Sequence, residues 1–397
     1  MKTYNYLIVG AGIAGVTAAK EIRKHDKEGS ILLLGNEKVR PYFRIQLTAI
    51  LGDDAPEIPY LDKEGWEEKL ALDVKPGAEV VSVDFDAMTV TLADGEKIQG
   101  EKILLANGSH SSVPPFKNNE LKGIFTLRNW DDLMTIQSYI KGFEDTKHIA
   151  VIGGGLLGLE AANSLKKSGH VVAIINRSEY LLSKQLDREL GMMLNEEMKD
   201  LGFMVFTEKS TKAFIGEDEV QGIEFDDGTA ADFDMVLISA GVRPNTELFK
   251  DTGLEVNKGV IVDSHLMTNK ANVWAAGDVA EVEGRVMGIW PASRAMGKVA
   301  GANMAGGDGT YENPKAHTKL DLDTIQIFSA GKIGEGDVYF YDDGDIHHRL
   351  YATDGKVTGA VLYGDTSAMG TFRKLVEAHA PIEEALNGAY PFKSEKE

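Results

Sequence analysis

Two glycine runs at one spacing are the part of this chain best suited to chemistry: Gly10-Ala11-Gly12-Ile13-Ala14-Gly15 and Gly153-Gly154-Gly155-Leu156-Leu157-Gly158. Each reads GxGxxG. The first glycine of such a run permits a tight turn, the second lets backbone approach a pyrophosphate, and the third lets the following helix pack on the preceding strand. The helix N-terminus then meets the phosphate charge. Two copies imply two dinucleotides in one polypeptide and electron passage between them. Glu37 lies 27 positions after Gly10, within reach of the role of a ribose-binding carboxylate. The matching place, 23 positions after Gly153, holds Asn176-Arg177. Without an acid the grip on a 2′-hydroxyl is lost, and a guanidinium there favours a 2′-phosphate, which leans towards NADPH over NADH. A solvated loop arginine is the equally open alternative.

The elements that must position these residues follow from periodicity. Tyr4 to Val9 is apolar and β-favouring, Val16 to Arg23 has helical spacing, and Ile31 to Leu34 closes a βαβ unit. Glu79 to Ala106 reads as an antiparallel meander around an Asp94-Gly95 turn, ending in a buried strand. The order then recurs: strand Ile149 to Ile152, a helix through Lys167, strand Val171 to Ile175, and a meander with Asp227-Gly228 ending in Met235 to Ala240. Gly10 to Gly108 and Gly153 to Gly241 are near copies in length and order, which is internal duplication. A strand at Asn272 to Ala276, a helix from about Ser293 to Met304 and a linker at Gly306 to Gly309 come next. The remainder reads as a small α+β domain with strands around Tyr339, Leu350 and Val361, a helix near Thr371 to His379, and a frayed tail from Lys393 to Glu397.

Composition narrows the function classes. At roughly 150 residues per domain, 397 residues suggest two to three domains. Glycine, 43 residues, exceeds the usual ~7%, as expected where ligands approach backbone. There is no cysteine, which excludes disulfides, iron–sulfur ligation, thiolate metal sites and a thiol relay. With 62 acidic against 42 basic residues the net charge of −20 opposes nucleic acid and anionic membrane as partners. The apolar stretch Leu7 to Ala19 is too short to span a bilayer, no small-residue cleavage site follows it, and the default compartment is the cytoplasm. No metal site is expected. His347-His348 would point to opposite faces of a strand and are read as solvated. Asp131-Asp132 and Asp342-Asp343 read as cap and turn residues, and no GxSxG is present.

A set of further motifs resembles one family. Gly277-Asp278 after Val273-Trp274-Ala275-Ala276 resembles the second flavin signature of two-dinucleotide-domain flavoproteins, and Pro41-Tyr42-Phe43-Arg44-Ile45-Gln46-Leu47 looks like PYxRxxL. That signature belongs to the branch of the FAD/NAD(P)-dependent pyridine nucleotide-disulfide oxidoreductase superfamily containing NADH:rubredoxin oxidoreductases, the flavin domain of assimilatory nitrite reductases and ferredoxin reductases. Ala106-Asn107-Gly108, Leu181 to Asp187, Gly241-Val242-Arg243-Pro244-Asn245, Trp290 with Gly297 and Asn303, and Gly359 to Asp365 match as well, so the resemblance spans essentially the whole chain.

The resemblance implies an α/β architecture like that of glutathione reductase: two Rossmann-like dinucleotide-binding domains and a small C-terminal α+β domain. The FAD domain would comprise residues 1–113 and 242–308, the NAD(P) domain 114–241, and the C-terminal domain 309–397. Gly10, Gly12, Ala14, Gly15, Glu37, Arg44, Ala106, Gly108, Gly241, Gly277, Asp278 and Trp290 would lie along FAD; Gly153, Gly155, Leu156, Gly158, Asn176 and Arg177 would lie along NADH or NADPH. Arg44 would orient and polarise the flavin region, and Glu160 would help place the nicotinamide. The implied activity is hydride transfer from NAD(P)H to FAD, then electron transfer to a small carrier such as rubredoxin. The alternatives are a flavin oxidase or quinone reductase, and a redox-sensing binding protein without turnover. Lys315, His317 and Lys319 form a weak candidate docking patch for an acidic carrier. Two departures matter. The cysteine that some relatives use beside the flavin is absent, and where the ferredoxin-reductase branch continues PYxRxxL with Ser-Lys, this chain has Thr48-Ala49, so the lysine that would pair with Glu160 is missing.

Overall fold

The structure is a computed structural model that describes residues 1–315, 317–388 and 390–394. Both predicted βαβ units form. In the first, strand Lys2–Val9 pairs in parallel with Ile31–Leu34 on one side and Lys97–Leu105 on the other, and helix α1 (Ile13–His25) crosses between. Asp73–Lys75 extends the sheet beyond Ile31–Leu34, while Val80–Asp84 and Thr89–Leu92 add the antiparallel meander; a four-residue helix, α2 (Trp66–Lys69), precedes them. Val273–Ala275 joins in parallel beside Lys97–Leu105, although it lies about 170 residues later.

The second unit repeats the plan. His148–Ile152 lies between Val171–Ile175 and Met235–Ile238, with Met204–Phe206 and Ile124–Thr126 at the edges, all parallel. Its helices are α3 (Trp130–Lys141), α4 (Leu156–Lys166) and α5 (Arg188–Asp200). The strands alternate between two cores: Ile149, Val151, Val172, Ile174, Met235 and Leu237 face the helices, while Ala150, Ile152, Ala173, Ile175, Val236 and Ile238 face the meander carrying Phe214, Ile223 and Phe225. Burial on both faces is why these strands read as unbroken apolar runs.

Two short antiparallel strands, Ser109–Ser111 and Val242–Pro244, tie the units together where the chain leaves the first and returns to it. The returning chain forms α6 (Trp290–Met304), which packs on α1 through small residues: a Cβ on Gly297 would lie 2.3 Å from the Ala14 carbonyl oxygen, and one on Gly301 2.5 Å from that of Ala18. The helix starts three residues earlier than its periodicity suggests, because Pro291 in its first turn is preorganised for helical φ.

The C-terminal segment is a six-stranded antiparallel sheet with α7 (Met369–Ala378) and α8 (Ile382–Leu386) on one face. Its first two strands, His317–Leu322 and Ile325–Gly331, are not among those expected from sequence. The tail departs from expectation too. Lys393–Ser394 pairs with Phe340 and Tyr339 as an edge strand, and residues 395–397 lie outside the described residues. Asp342-Asp343 closes strand Asp337–Asp343, and Asp342 binds Arg349 and His347 rather than serving only the turn. No helix among the described residues is long and apolar enough to cross a membrane.

His348 is the clearest correction. The two histidines do take opposite faces, but both faces of this sheet are covered. His348 is wholly buried, edge-on to Tyr390 with ring centroids 4.5 Å apart, and neither ring nitrogen has a hydrogen-bond partner among the described residues. Burial pushes its pKa down to about 4. Between about pH 6.5 and 4 the unfolded chain therefore binds more protons than the folded one, so stability falls as pH drops through that window and levels off below it, by at most about 3 kcal/mol. His348→Leu is expected to lose less melting temperature than the parent between pH 7 and pH 4.5; identical losses would show that this imidazole does not titrate on unfolding.

Candidate functional site

The two glycine turns are built alike, and their geometry separates glycines the fold needs from glycines it does not. Gly10 (φ +116°) and Gly153 (φ +129°) occupy backbone space that disfavours other residues, and a Cβ on either would strike a carbonyl oxygen, of Ala106 at 2.1 Å or Ser239 at 2.2 Å. A Cβ on Gly15 would lie 2.0 Å from the Gly10 oxygen, and one on Gly158 1.9 Å from that of Gly153. Gly12 and Gly155 differ. Their φ values of −75° and −89° suit any residue, and a Cβ on either meets nothing within 4 Å. Nothing in the protein requires glycine there, and the open space would let a group outside the chain approach the backbone. Neither α1 nor α4 carries a side-chain cap or an acidic residue in its first turn, which leaves the positive end of each helix free for an anion. The residues present fit a dinucleotide in each cradle.

Beside the first cradle lie two linked ion pairs. Arg44 pairs with Glu37 through Nη2, while its Nη1 donates to the Tyr42 hydroxyl at 2.9 Å and to the Arg128 carbonyl. Glu37 also accepts from the Tyr42 hydroxyl at 2.6 Å and from the Trp130 backbone N–H at 3.3 Å. Burial raises the Tyr42 pKa, so the hydroxyl stays a donor. A carboxylate accepts about four hydrogen bonds, so Glu37 retains room for about one more donor. Arg128 forms the second pair: it donates at 2.8 Å to Asp278, which also accepts from Ser109 at 2.8 Å and Ser293 at 2.9 Å. Sequence reasoning missed Arg128. The only local signal is the capping box of Asn129 and Asp132 that fixes the start of α3 next to it, with Asp132 in the capping role read from sequence.

Gly108 (φ +67°) and Gly241 (φ +93°) flank the two connecting strands, and a Cβ on either would meet open space. Ala106 is buried, Gly277 (φ +83°) places its backbone against Ala14, and Asn107 and Asn245 exchange side-chain to carbonyl hydrogen bonds at 2.8 and 2.7 Å. The Asn107 Oδ1 and the Trp290 Nε1 are buried without a hydrogen-bond partner among the described residues. An unsatisfied buried polar group costs about 1–3 kcal/mol, so a ligand atom reaching either would be stabilised. Trp290 stacks on Phe43 with centroids 5.9 Å apart.

The two units meet at Glu160. Thr48, from the loop after Arg44, donates to Glu160 Oε2 at 3.0 Å. A hydroxyl thus stands in place of the missing lysine. Burial raises the Glu160 pKa and the Thr48 hydrogen bond opposes it. One turn before each partner, Ile45 and Leu157 are 53% and 47% exposed. At the second rim, the Asn176 amide donates to the Ser178 and Tyr180 carbonyls at 3.0 and 2.8 Å and so closes its own loop, whereas Leu156 is partly buried. Arg177 is exposed and makes no hydrogen bond or ion pair among the described residues. The Lys315, His317 and Lys319 side chains are engaged locally, with the Glu377 carbonyl, the Phe328 ring and Asp321.

Residues 4–298 match the family described as pyridine nucleotide-disulphide oxidoreductase, and residues 317–380 the rubredoxin NAD+ reductase C-terminal domain. The chain belongs to the pyridine nucleotide-disulphide oxidoreductase family. It is 33% identical over 387 residues to the nitrite reductase [NAD(P)H] of Bacillus subtilis (strain 168), covering 95% of this chain and 48% of that protein. Thus the chain spans about half the length of this relative. It is 31% identical to the ferredoxin reductase component of chlorobenzene dioxygenase from Cupriavidus sp. (strain PS12), over 95% of this chain and 93% of the other. The crystal structure of NADH:rubredoxin oxidoreductase from Clostridium acetobutylicum superposes with a TM-score of 0.80 at 29% identity, covering 96% of each chain.

Arg128 and Asp278 are mostly shielded from solvent, so removing the cation strands a carboxylate. Arg128→Leu is expected to destabilise the protein by about 3 kcal/mol, and Asp278→Asn added to it to recover part of that loss. Denaturant unfolding of the two single variants and the double variant measures the coupling; strictly additive effects would show that the pair does not interact.

Proposed function

We propose that the protein uses NAD(P)H to reduce FAD and passes the electrons to a small redox protein such as rubredoxin. The observation that carries this reading is the Thr48–Glu160 hydrogen bond, which brings the loop following the first cradle onto the helix opening from the second. Residues 1–113 and 242–308 would hold FAD, 114–241 NAD(P)H, and 309–397 would form the C-terminal domain. Bound FAD would supply hydride acceptance and one-electron donation.

The side chains bind and orient. Gly12 and the N-terminus of α1 would take one pyrophosphate, and Gly155 with the N-terminus of α4 the other. Glu37 offers its remaining acceptor capacity to a ribose hydroxyl, Arg44 holds that carboxylate in place, and Asp278 is fixed by Arg128, Ser109 and Ser293. The Trp290 N–H and Asn107 Oδ1 would each gain a partner. Glu160, held by Thr48, would accept from the nicotinamide amide. Ile45 and Leu157 would exclude water from the reacting faces. The names of the relatives support a carrier as acceptor: one is a ferredoxin reductase component, and another an NADH:rubredoxin oxidoreductase. No residue acts as nucleophile, which agrees with the absence of cysteine.

Anaerobic stopped-flow reduction with NADH and NADPH, followed by mixing with rubredoxin, ferredoxin, quinone or oxygen, tests the proposal. Sustained nucleotide consumption with a small iron protein is the expected result. Turnover with oxygen or quinone alone would favour an oxidase or quinone reductase, and bleaching that stalls after one equivalent a redox-sensing binding protein. For nucleotide choice, Arg177→Glu is expected to lower NADPH use relative to NADH use by about tenfold, equivalent to one charge-assisted contact. An unchanged ratio would leave Arg177 as a solvated loop residue.

A further inference from the structure

Helix α5 carries the loop that follows the second nucleotide strand. A Cβ on Gly191 would lie 2.1 Å from Tyr180 Cδ2, so the tyrosine ring rests directly on the helix backbone. Asn195, 3% exposed, accepts the Leu181 N–H at 3.0 Å and donates to the Glu179 carbonyl at 3.1 Å. Arg188 binds Glu179 with Nε at 2.9 Å from Oε2. Residues 179–181 are therefore fastened to the first two turns of α5, and Arg177 stands just before them.

The same end of α5 is held from the other side by the C-terminal sheet. Tyr351 has no solvent exposure, and its hydroxyl donates to Asp187 Oδ2, while Oδ1 of the same carboxylate caps α5 by accepting the Leu190 N–H at 3.0 Å. Arg349, also buried, reaches Glu189 Oε2 at 3.2 Å. Farther along the helix, beyond the loop contacts, Tyr363 donates to Glu197 Oε2 at 2.8 Å. The sheet thus binds α5 at both ends through buried hydroxyls, and of these two hydroxyls Tyr351's is the one at the end that supports the loop, beside the Arg349–Glu189 contact.

We propose that Tyr351 is a positioning residue for the nicotinamide nucleotide: through Asp187 it fixes the first turns of α5, and these hold the loop bearing Arg177 in register with the nucleotide's adenosine ribose. The C-terminal domain would thus set nucleotide affinity without touching the nucleotide. The inference rests on the reading that the second cradle binds NAD(P)H. Without the tyrosine hydroxyl, Asp187 Oδ2 loses its buried donor and the charged cap can rotate away from Leu190, which frees the helix end.

The test compares flavin-loaded, full-length parent, Tyr351→Phe and Tyr363→Phe. The dissociation constants of NADH and NADPH come from the concentration dependence of flavin reduction, and that of NAD+ from calorimetry. Tyr351→Phe is expected to raise them about fivefold or more, with limiting reduction rate, flavin content and visible spectrum unchanged. Tyr363→Phe, which deletes the same group from the other end of α5, is expected to lose similar thermal stability and to bind nucleotide as the parent does. Asp187→Asn, which keeps an oxygen for the Leu190 N–H and a polar partner for Tyr351, is expected to stay near the parent, and Asp187→Ala to resemble Tyr351→Phe. Parent-like affinity in Tyr351→Phe, or equal weakening in both tyrosine variants, overturns the proposal. A parent that binds no nicotinamide nucleotide refutes the underlying reading of the second cradle, whereas normal parental binding with an unaffected Tyr351→Phe refutes this inference alone.

Discussion

A pyrophosphate can receive backbone N–H groups at a helix end only if no side chain stands between them, and in the proposed reading this molecule meets that condition twice. Gly10 and Gly15, like Gly153 and Gly158, are dictated by contacts inside the protein, whereas at Gly12 and Gly155 a Cβ would meet only open space, which the proposed nucleotides would use. Each cradle ends a parallel strand buried on both faces, which supplies a rigid edge against which the turn is formed. The second crossing, of α1 on α6, uses glycine and alanine for the same reason of close approach, and it brings Trp290 and Asp278 beside the first cradle.

Charge is then distributed so that each buried ion has a partner. Glu37–Arg44 and Arg128–Asp278 are two ion pairs drawn from three parts of the chain, and the carbonyl of Arg128, accepting from Arg44, links them. At Glu160 the partner is the Thr48 hydroxyl and not a cation. The raised Glu160 pKa follows directly from burial without a counter-ion. A lysine at this place would hold the carboxylate ionised; the hydroxyl leaves its protonation sensitive to whatever covers Ile45 and Leu157.

Much of this was legible in the sequence because it is local. Glycine spacing specifies the turns, apolar runs specify parallel strands, and the repetition of one order from Gly10 and again from Gly153 specifies two similar units. Contacts of long sequence separation were not legible: Arg128 meets Asp278 150 residues away, and Thr48 meets Glu160 112 residues away. His348 shows a different limit. Period-2 alternation places it opposite His347, but alternation cannot say whether a face is wet. Here one face is covered by α7 and α8 and the other by the second unit, where Tyr351 and Tyr363 reach α5. The strands at His317–Leu322 and Ile325–Gly331 were not read from the sequence; the first is a sheet edge in which Lys319 and Asp321 alternate with apolar residues, and the second lies inside the sheet.

The most direct test of two nucleotides in two cradles is to fill each cradle separately. The φ at Gly12 and at Gly155 suits any residue and a Cβ there meets no protein atom within 4 Å, so both valine variants should fold. The account predicts that Gly12→Val is purified without flavin and fails to take up FAD, whereas Gly155→Val retains flavin that dithionite reduces but NADH and NADPH do not. If both variants kept flavin and were reduced by nicotinamide nucleotide at the parental rate, the cradles would not be the binding sites and the account would be wrong.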